Sequence, residues 1–353
     1  MTLGAGKHSW PETYSQLLQR GHLSRQECAW AMGEMMRGEA TPAQIAGFLM
    51  ALHAKGETVE EMRGLADEML AHATRIEAPH PSVDVVGTGG DRAHTVNIST
   101  MAAMVCAAAG VPVVKHGNRA ASSASGSADV LEALGIDLSL SASRVEALVH
   151  EVGITFCFAQ QFHPSMRHAA GTRRELGVPT AFNFLGPLTN PGQPTYAAVG
   201  VADARMAPII AGVFAGRGRD AAVFRGDDGL DELTLATTST VWWVRNGDVV
   251  EHQLDPARLG LRYAPTEALR GGTAAYNAQV VRDVFAGAGG PIRDAVVLNA
   301  GIALAVTADA DSGRTPSAVH DGVRAGMDRA TQVLDSGAAG DLVTRWVAAS
   351  NRS

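Results

Sequence analysis

Cysteine is scarce in this 353-residue chain: Cys28, Cys106 and Cys157 are scattered through apolar surroundings, with no CxxC pair and no Cys/His cluster. That excludes a disulfide framework and a structural zinc site, and predicts buried free thiols in a reducing compartment. Positive charge is also short. The 29 Lys and Arg stand against 36 Asp and Glu, a net charge of -7, whereas a general nucleic-acid binder shows a basic face. No nucleic-acid partner is expected. The longest apolar run, Met101 to Val114, is interrupted by Gly110 and Pro112 and is too short to cross a bilayer. The opening MTLGAGKHSWPETY has no apolar core for a secretion signal. The expectation is a cytoplasmic chain with no membrane partner. No internal repeat or low-complexity tract is evident, and a hydrophobic content of 46% with 18% charged residues is ordinary globular composition. The length suits one large α/β domain and a smaller one.

What is present is organised around Val83 to Arg119. Four strand-like residues, Val83 to Val86, break into Gly87, Thr88, Gly89, Gly90 and Asp91, a loop whose glycines allow positive φ and close approach of a ligand to the main chain. Six residues further on, Asn97, Ile98, Ser99 and Thr100 precede a small-residue helix expected from Met101 to Ala109. Free N–H groups and the dipole at such a helix start favour phosphate. A second cradle follows the next strand, where Lys115, His116, Gly117, Asn118 and Arg119 run into AASSASGS and a helix from about Ala128. Two cradles on adjacent βα units imply a ligand with phosphates at two ends. Neither loop is a Walker lysine loop or a dinucleotide fingerprint.

The first eighty residues read as helical. Ser9 and Pro11 start a helix ending near Gly21, and three capping boxes, Ser24/Glu27, Thr41/Gln44 and Thr58/Glu61, predict helices over 25–37, 42–54 and 59–73. These short helices must pack on another element or on a second subunit, and APHPS at Ala78 to Ser82 reads as a hinge. Strands and helices then alternate, which implies a mainly parallel sheet. A helix carries Arg167, His168, Arg173 and Arg174, FNFLGPLTNP reads as a loop, and Trp242 to Val250 around Asn246-Gly247 reads as a hairpin with packing tryptophans. Helices near 276–286, 292–306 and 317–334 close the chain. After the strand at Ala221 to Phe224, the loop GDDGLDELT places Asp227, Asp228, Asp231 and Glu232 where an open α/β fold binds ligands. Oxygen-only ligands beside phosphates suit Mg²⁺, and a solvated acidic turn is the plainer alternative. On the residues alone, either Arg173 or Arg174 faces solvent, and His163 before Pro164 also reads as a helix-start residue.

Five motifs in order, GTGGD, NIST, KHGNR with SGSAD, FNFLGPLTNP and GLDELT, give the chain its resemblance to the anthranilate phosphoribosyltransferases, from the capped helices to Arg345. The resemblance implies an α/β fold with an N-terminal helical dimerisation domain over 1–80, joined by the helix near 164–190. An α/β domain over 81–353, with a mainly parallel central sheet flanked by helices, would bind phosphoribosyl pyrophosphate. It implies a homodimer that transfers the 5-phosphoribosyl group to the anthranilate amine in tryptophan biosynthesis, with two Mg²⁺ per monomer. Carried over by motif, Gly87, Gly90, Asp91, Thr95, Asn97, Ile98, Ser99 and Thr100 would hold pyrophosphate and ribose. Lys115, His116, Gly117, Asn118, Arg119, Ala120, Ala121, Ser122, Ser123 and Ser127 would wrap the remaining phosphate surface. Ser99, Asp231 and Glu232 would bind Mg²⁺. Gly87, Asn118 and Arg173 would contact anthranilate, with His116, His163 and Met166 lining its pocket. No acid/base residue is assigned, because the aniline amine is already unprotonated at neutral pH. Rival readings are a nucleoside phosphorylase, a relative using another aromatic amine, and a catalytically silent nucleic-acid-binding relative. Association with anthranilate synthase is left open.

Overall fold

The three capping boxes set the start of the fold. In the computed structural model, which describes residues 8–120, 124–308 and 315–352, α1 (Trp10–Leu18), α2 (Arg25–Arg37), α3 (Pro42–Lys55) and α4 (Val59–Ala71) form a bundle. The side chains of Ser24, Thr41 and Thr58 accept from the N–H groups of Glu27, Gln44 and Glu61, which bond back to the cap N–H groups. Each box satisfies two helix-end donors that would otherwise lack partners. α1 ends at Leu18 rather than at Gly21, whose N–H instead closes the turn onto the Gln16 carbonyl. The bundle does pack on other elements, as its short helices require: α2 and α3 meet α9 (Arg167–Leu176), and α4 meets α11 (Met206–Gly216). Met32, Met35 and Met36 are buried there, while Met50 stays partly exposed.

The remaining elements make a seven-stranded sheet with helices on both faces. In chain order they are β1 (Val83–Gly87), α5 (Ile98–Ala108), β2 (Val113–Gly117), α6 (Ser127–Leu134), α7 (Ala142–Val152), β3 (Ile154–Phe158) and α8 (Ala159–Phe162). After α9 come α10 (Phe182–Leu185), β4 (Tyr196–Gly200), α11, β5 (Asp220–Gly226), β6 (Ser239–Arg245) and β7 (Asp248–Leu254). α12 (Ala274–Phe285), α13 (Pro291–Val306), α14 (Pro316–Asp335) and α15 (Ala338–Ser350) follow. The strand order is β3-β2-β1-β4-β5-β6-β7, parallel through β5, then antiparallel through β6 and β7.

Successive strand side chains point to opposite faces, and here both faces are covered. Val85, Ala198, Phe224 and Trp243 join the core under α5 and α12 to α15, while Val86, Val199, Val223 and Trp242 join the core shared with α11 and the bundle. The tryptophans are packing residues, as expected, but on opposite sides of the sheet. The hairpin turn also matches its sequence signal, with φ of 54° at Asn246 and 86° at Gly247.

Three expectations need correction. The helix placed at Met101 begins at Ile98, so Ser99 and Thr100 lie in its first turn. FNFLGPLTNP is not an open loop: Phe182–Leu185 is a helical turn and Gly186–Leu188 a 3-10 turn. The chain also closes with α15, which sequence reading passed over because Gly337 supplies no side-chain cap. The buried Trp346 anchors it.

One interaction ties the end of α3 to the third box. Lys55 Nζ lies 2.8 and 2.7 Å from the two Glu61 oxygens, and the Glu61 carboxylate also accepts from Leu23 N–H at 2.8 Å and Thr58 N–H at 2.9 Å. Both side chains are buried. Breaking such a pair leaves an uncompensated buried charge. Lys55→Met should therefore cost about 3–5 kcal/mol in urea unfolding, whereas the exposed Arg37→Met, which breaks surface pairs to Glu34 and Glu39, should cost about 0–1 kcal/mol.

Candidate active site

The parallel strands deliver their C-terminal ends to one cleft of about 760 Å³. Gly87, at the end of β1, is required by crowding. A Cβ there would sit 2.3 Å from Asp231 Oδ2, so only glycine lets the loop after β5 lie over the end of β1. Gly89 and Gly90 follow with φ of 70° and 91°, a conformation that costs other residues energy. The Gly89 N–H donates to Asp231 Oδ2 at 2.6 Å, and the Ser99 N–H, in the first turn of α5, donates to Glu232 Oε1 at 3.0 Å. The two carboxylates thus sit on the N–H groups of the first cradle.

Of the four acidic residues after β5, only these two line the cleft. Asp227 accepts from Thr238 and Thr240, and Asp228 from Thr234 and Thr266, so both brace their loop against neighbouring segments. Burial pushes the Asp231 carboxyl up to about 8, helped by the charge of Asp91 and a hydrogen bond shared with it. Burial, then Asp231, raises Glu232 as well, and Lys115 opposes the rise. Lys115 is itself buried in the cleft floor, donating to the Val85 carbonyl. Burial lowers its pKa, while Asp84, Glu232 and Asp231 pull it back up. Asp91, Asp231 and Glu232 crowd one region with a single buried lysine to oppose them, and a divalent cation fits that imbalance. Among the described residues no three His, Cys, Asp or Glu side chains converge closely enough to hold an ion by themselves. This suits Mg²⁺, which takes one or two carboxylates and completes its shell with water and substrate phosphates.

Asn97 joins the cradles. Its Nδ2 donates to the Ser125 carbonyl at 3.2 Å, and its Oδ1 accepts from Asn277 Nδ2 at 2.8 Å. Thr95 is held by a bridge to Arg270. In the second cradle, Asp129 accepts from Ala120 N–H and Gly126 N–H at 3.0 and 2.8 Å, and Ser127 Oγ donates to the Asn118 carbonyl. The Arg119 guanidinium is engaged by Asp129 at 3.0 Å and Glu132 at 2.6 Å, and lies over the Phe158 ring. It braces the loop and is not a free cation. Ala121, Ser122 and Ser123 lie outside the described residues.

The far wall is aromatic and largely uncharged. His116 Nδ1 is 2.9 Å from the Gly186 carbonyl, and His163 Nε2 is 2.9 Å from the Thr189 carbonyl. A carbonyl only accepts, so each of those ring nitrogens carries the proton. His116 Nε2 and His163 Nδ1 remain as buried acceptors with no partner among the described residues, and the rings are 5.1 Å apart. Burial, reinforced by His163, depresses His116 to about 3, and burial depresses His163 to about 4. The half-buried Arg173 guanidinium lies 5.0 Å over the Phe182 ring and takes no carboxylate partner among the described residues, whereas Arg174 faces solvent. Met166 completes this side.

Gly87, Gly90, Asp91, Thr95, Asn97, Ile98, Ser99, Thr100, Lys115, His116, Gly117, Asn118, Arg119, Ala120, Ser127, His163, Met166, Arg173, Asp231 and Glu232 all line this one cleft. Sequence reasoning missed Asn277, which lies far along the chain and carried no motif. It also missed Gln160, Arg167 and Asn183 in the lining, although Asn183 sits inside the FNFLGPLTNP motif.

Residues 11–73 match the glycosyl transferase family, helical bundle domain, and residues 79–340 match the glycosyl transferase family, a/b domain. An anthranilate phosphoribosyltransferase of Nocardioides sp. is 60% identical, covering 98% of this chain and 99% of its own length. The crystal structure of anthranilate phosphoribosyltransferase from Thermus thermophilus is 40% identical, with a TM-score of 0.88 over 96% of this chain and 99% of that one. The Saccharomyces cerevisiae structure in complex with PRPP and Mg is 26% identical, with a TM-score of 0.86 over 97% of both chains. The chain belongs to the anthranilate phosphoribosyltransferase family.

The histidines give a pH prediction. A histidine whose folded pKa is depressed contributes stability that is present above its unfolded pKa of about 6.5 and is lost as pH falls toward the folded value. The raised carboxyls have the opposite sign, so the difference between variant and wild type isolates the imidazole. His163→Gln, whose amide can still donate to the Thr189 carbonyl, should unfold with a shallower loss of Tm than wild type between pH 6.5 and 4. Parallel Tm curves would show that His163 is not a buried neutral ring.

Proposed function

We propose that this cleft transfers the 5-phosphoribosyl group of phosphoribosyl pyrophosphate to the amine of anthranilate, giving N-(5-phosphoribosyl)anthranilate and pyrophosphate in the route to tryptophan. The observation that carries the reading is the meeting of two anion cradles, a raised carboxylate pair and an uncharged aromatic wall with a free guanidinium in one cleft. The naming of the relatives supports it. In this reading the N–H groups and hydroxyls of Gly87 to Thr100 hold pyrophosphate and ribose. The loop from Lys115 to Ser127 takes the remaining phosphate surface, with Arg119 bracing it through Asp129 and Glu132 and Lys115 acting through the cleft floor. Ser99, Asp231 and Glu232 hold Mg²⁺, two ions per monomer. When bound, Mg²⁺ neutralises charge on the pyrophosphate.

The chain's own groups do the rest. Preorganised N–H donors stabilise the leaving group as charge develops on it. Arg173 grips the anthranilate carboxylate through paired hydrogen bonds, beside the Gly87 main chain, Asn118 and Met166. The bare nitrogens of His116 and His163 present acceptors to the acceptor pocket and carry no positive charge to compete with Arg173. Orientation of two substrates supplies up to ~7–11 kcal/mol of barrier lowering, so no general base is needed. Residues 1–80 with the helix near 164–190 form the dimerisation domain of a homodimer, and 81–353 form the catalytic domain. Support comes from the packing of α9 on α2 and α3 and from the exposed Leu18 and Met50 on α1 and α3. Buried free thiols at Cys28, Cys106 and Cys157 support a cytoplasmic location.

Anthranilate fluorescence followed with phosphoribosyl pyrophosphate and Mg²⁺, each omitted in turn, tests the activity. Signal loss should require all three components, and a flat trace from folded protein would overturn the reading. Asp231→Asn should lower turnover about 10–100-fold or raise the Mg²⁺ requirement with the fold intact; an unchanged Mg²⁺ titration would remove Asp231 from the metal site. Arg173→Ala should weaken anthranilate binding by about 1.5–3 kcal/mol and leave phosphoribosyl pyrophosphate binding nearly unchanged. Equal losses for both substrates in calorimetry would defeat its assigned role.

A further inference from the structure

A second cavity, of about 310 Å³, opens between the helical bundle and the α/β domain. Arg25 on α2 and Arg63 on α4 enter it from the bundle, and Arg217 and Arg219, between α11 and β5, enter it from the other side. One carboxylate stands among them, and its two oxygens are taken. Asp67 Oδ1 accepts from Arg217 Nε and Nη2 at 2.9 and 2.6 Å, and Oδ2 is bonded by Arg25. Arg63 lies 3.8 Å from Asp67, and its buried Nε has no hydrogen-bond partner. Among the described residues Arg219 reaches only the main-chain carbonyls of Gln193 and Pro194 and the Gln193 side-chain oxygen. The other acid in the lining, Asp84, is turned to His116 N–H and Asn190 on its own side.

Four guanidiniums therefore share one carboxylate: Arg63 reaches it only at 3.8 Å, and Arg219 has no acidic partner among the described residues. The crowding is felt electrostatically: burial lowers Arg217, Asp67 pulls it back up, and Arg63 and Arg25 push it down, while burial, then Arg217 and Arg75, lower Arg219. Like charges held this close in a partly buried site are unfavourable without a counter-ion, and planar guanidiniums match a phosphate bidentately. We propose that this cavity is a second anion site, separate from the catalytic cleft, that takes a phosphate dianion, either free or as the head of a small phosphomonoester. Such an ion bridges α2 and α4 to α11 and draws the bundle onto the α/β domain. Pro187 borders both cavities, which places the anion one residue layer behind the wall of the catalytic cleft.

The location is read directly by soaking crystals in selenate, a tetrahedral dianion with an anomalous signal. Calorimetric titration of inorganic phosphate into wild type, Arg63→Gln and Asp67→Asn reads the energetics. Arg63 makes the fewest bonds in the cavity, so its replacement should weaken phosphate at this site about tenfold without unfolding the chain. Asp67→Asn removes the competing carboxylate and should tighten it, a change that damage to the fold cannot mimic. Glycerol 3-phosphate in the same titrations separates the two sources: tighter binding than phosphate assigns the site to a monoester, and equal or weaker binding assigns it to the free ion. Selenate confined to the loops after β1 and β2, with phosphate affinity indifferent to both substitutions, would overturn the proposal.

Discussion

The cleft depends on a buried charge balance around Lys115. Taking a lysine or a carboxylate out of water costs several kcal/mol per ion, far more than the 0–1 kcal/mol a surface ion pair returns. Lys115 is tolerated in the middle of β2 because Asp84, Glu232 and Asp231 all favour its charged form. The carboxyls in turn stay raised because burial disfavours their charge and their acidic neighbours add to it, with Lys115 opposing the rise only at Glu232. The protein thus places carboxyls that a cation would help to ionise at the one place where a metal-bound polyphosphate is proposed to sit. What looks like an unfavourable arrangement in isolation is complementary to a cationic ligand.

The backbone makes that balance possible. Gly87 has no Cβ, so Asp231 can cross the end of β1, and a Cβ at Gly200 on the neighbouring strand would sit 1.7 Å from the Asp231 carbonyl oxygen. Two adjacent parallel strands ending in glycine create a slot for the acidic loop. The sheet order β2-β1-β4-β5 brings the two cradles and that loop to the same edge. Their contacts are mostly through main-chain N–H groups, which lose little entropy on binding because the fold has already fixed them.

Much of this was legible in the sequence because it is local. Capping boxes act over three residues, and the helices they started end within two residues of expectation. The strand-glycine-helix pattern placed both cradles, and five ordered motifs were enough to identify the family. What was not legible depends on long-range approach. That Asp231 and Glu232 face the cleft while Asp227 and Asp228 do not follows from threonines 6 to 38 residues away. Arg119 read as a phosphate ligand, yet its charge is met by Glu132 one helix further on. Asn277 supports Asn97 across 180 residues, and no periodicity announces it. α15 escaped because its start lacks a side-chain cap, although its burial of Trp346 is decisive: losing such a side chain typically costs about 3–5 kcal/mol.

The two cores explain why the cleft lies where it does. Alternation along each strand sends Val86, Val199 and Val223 into the same apolar cluster as the bundle, and Val85, Ala198 and Phe224 into the cluster with α5 and α13. The sheet is therefore the common wall of both, and the bundle has no core independent of it. Elements packed on the bundle side, α9 and α10, carry Arg173 and Phe182, while the α5 side carries Ser99 and Asn97. A ligand spanning the cleft touches groups anchored in different cores, so any shift of the bundle against the sheet changes the distance between the aromatic wall and the first cradle. Rigidity within each core fixes the two half-sites, and the joint between them sets their separation.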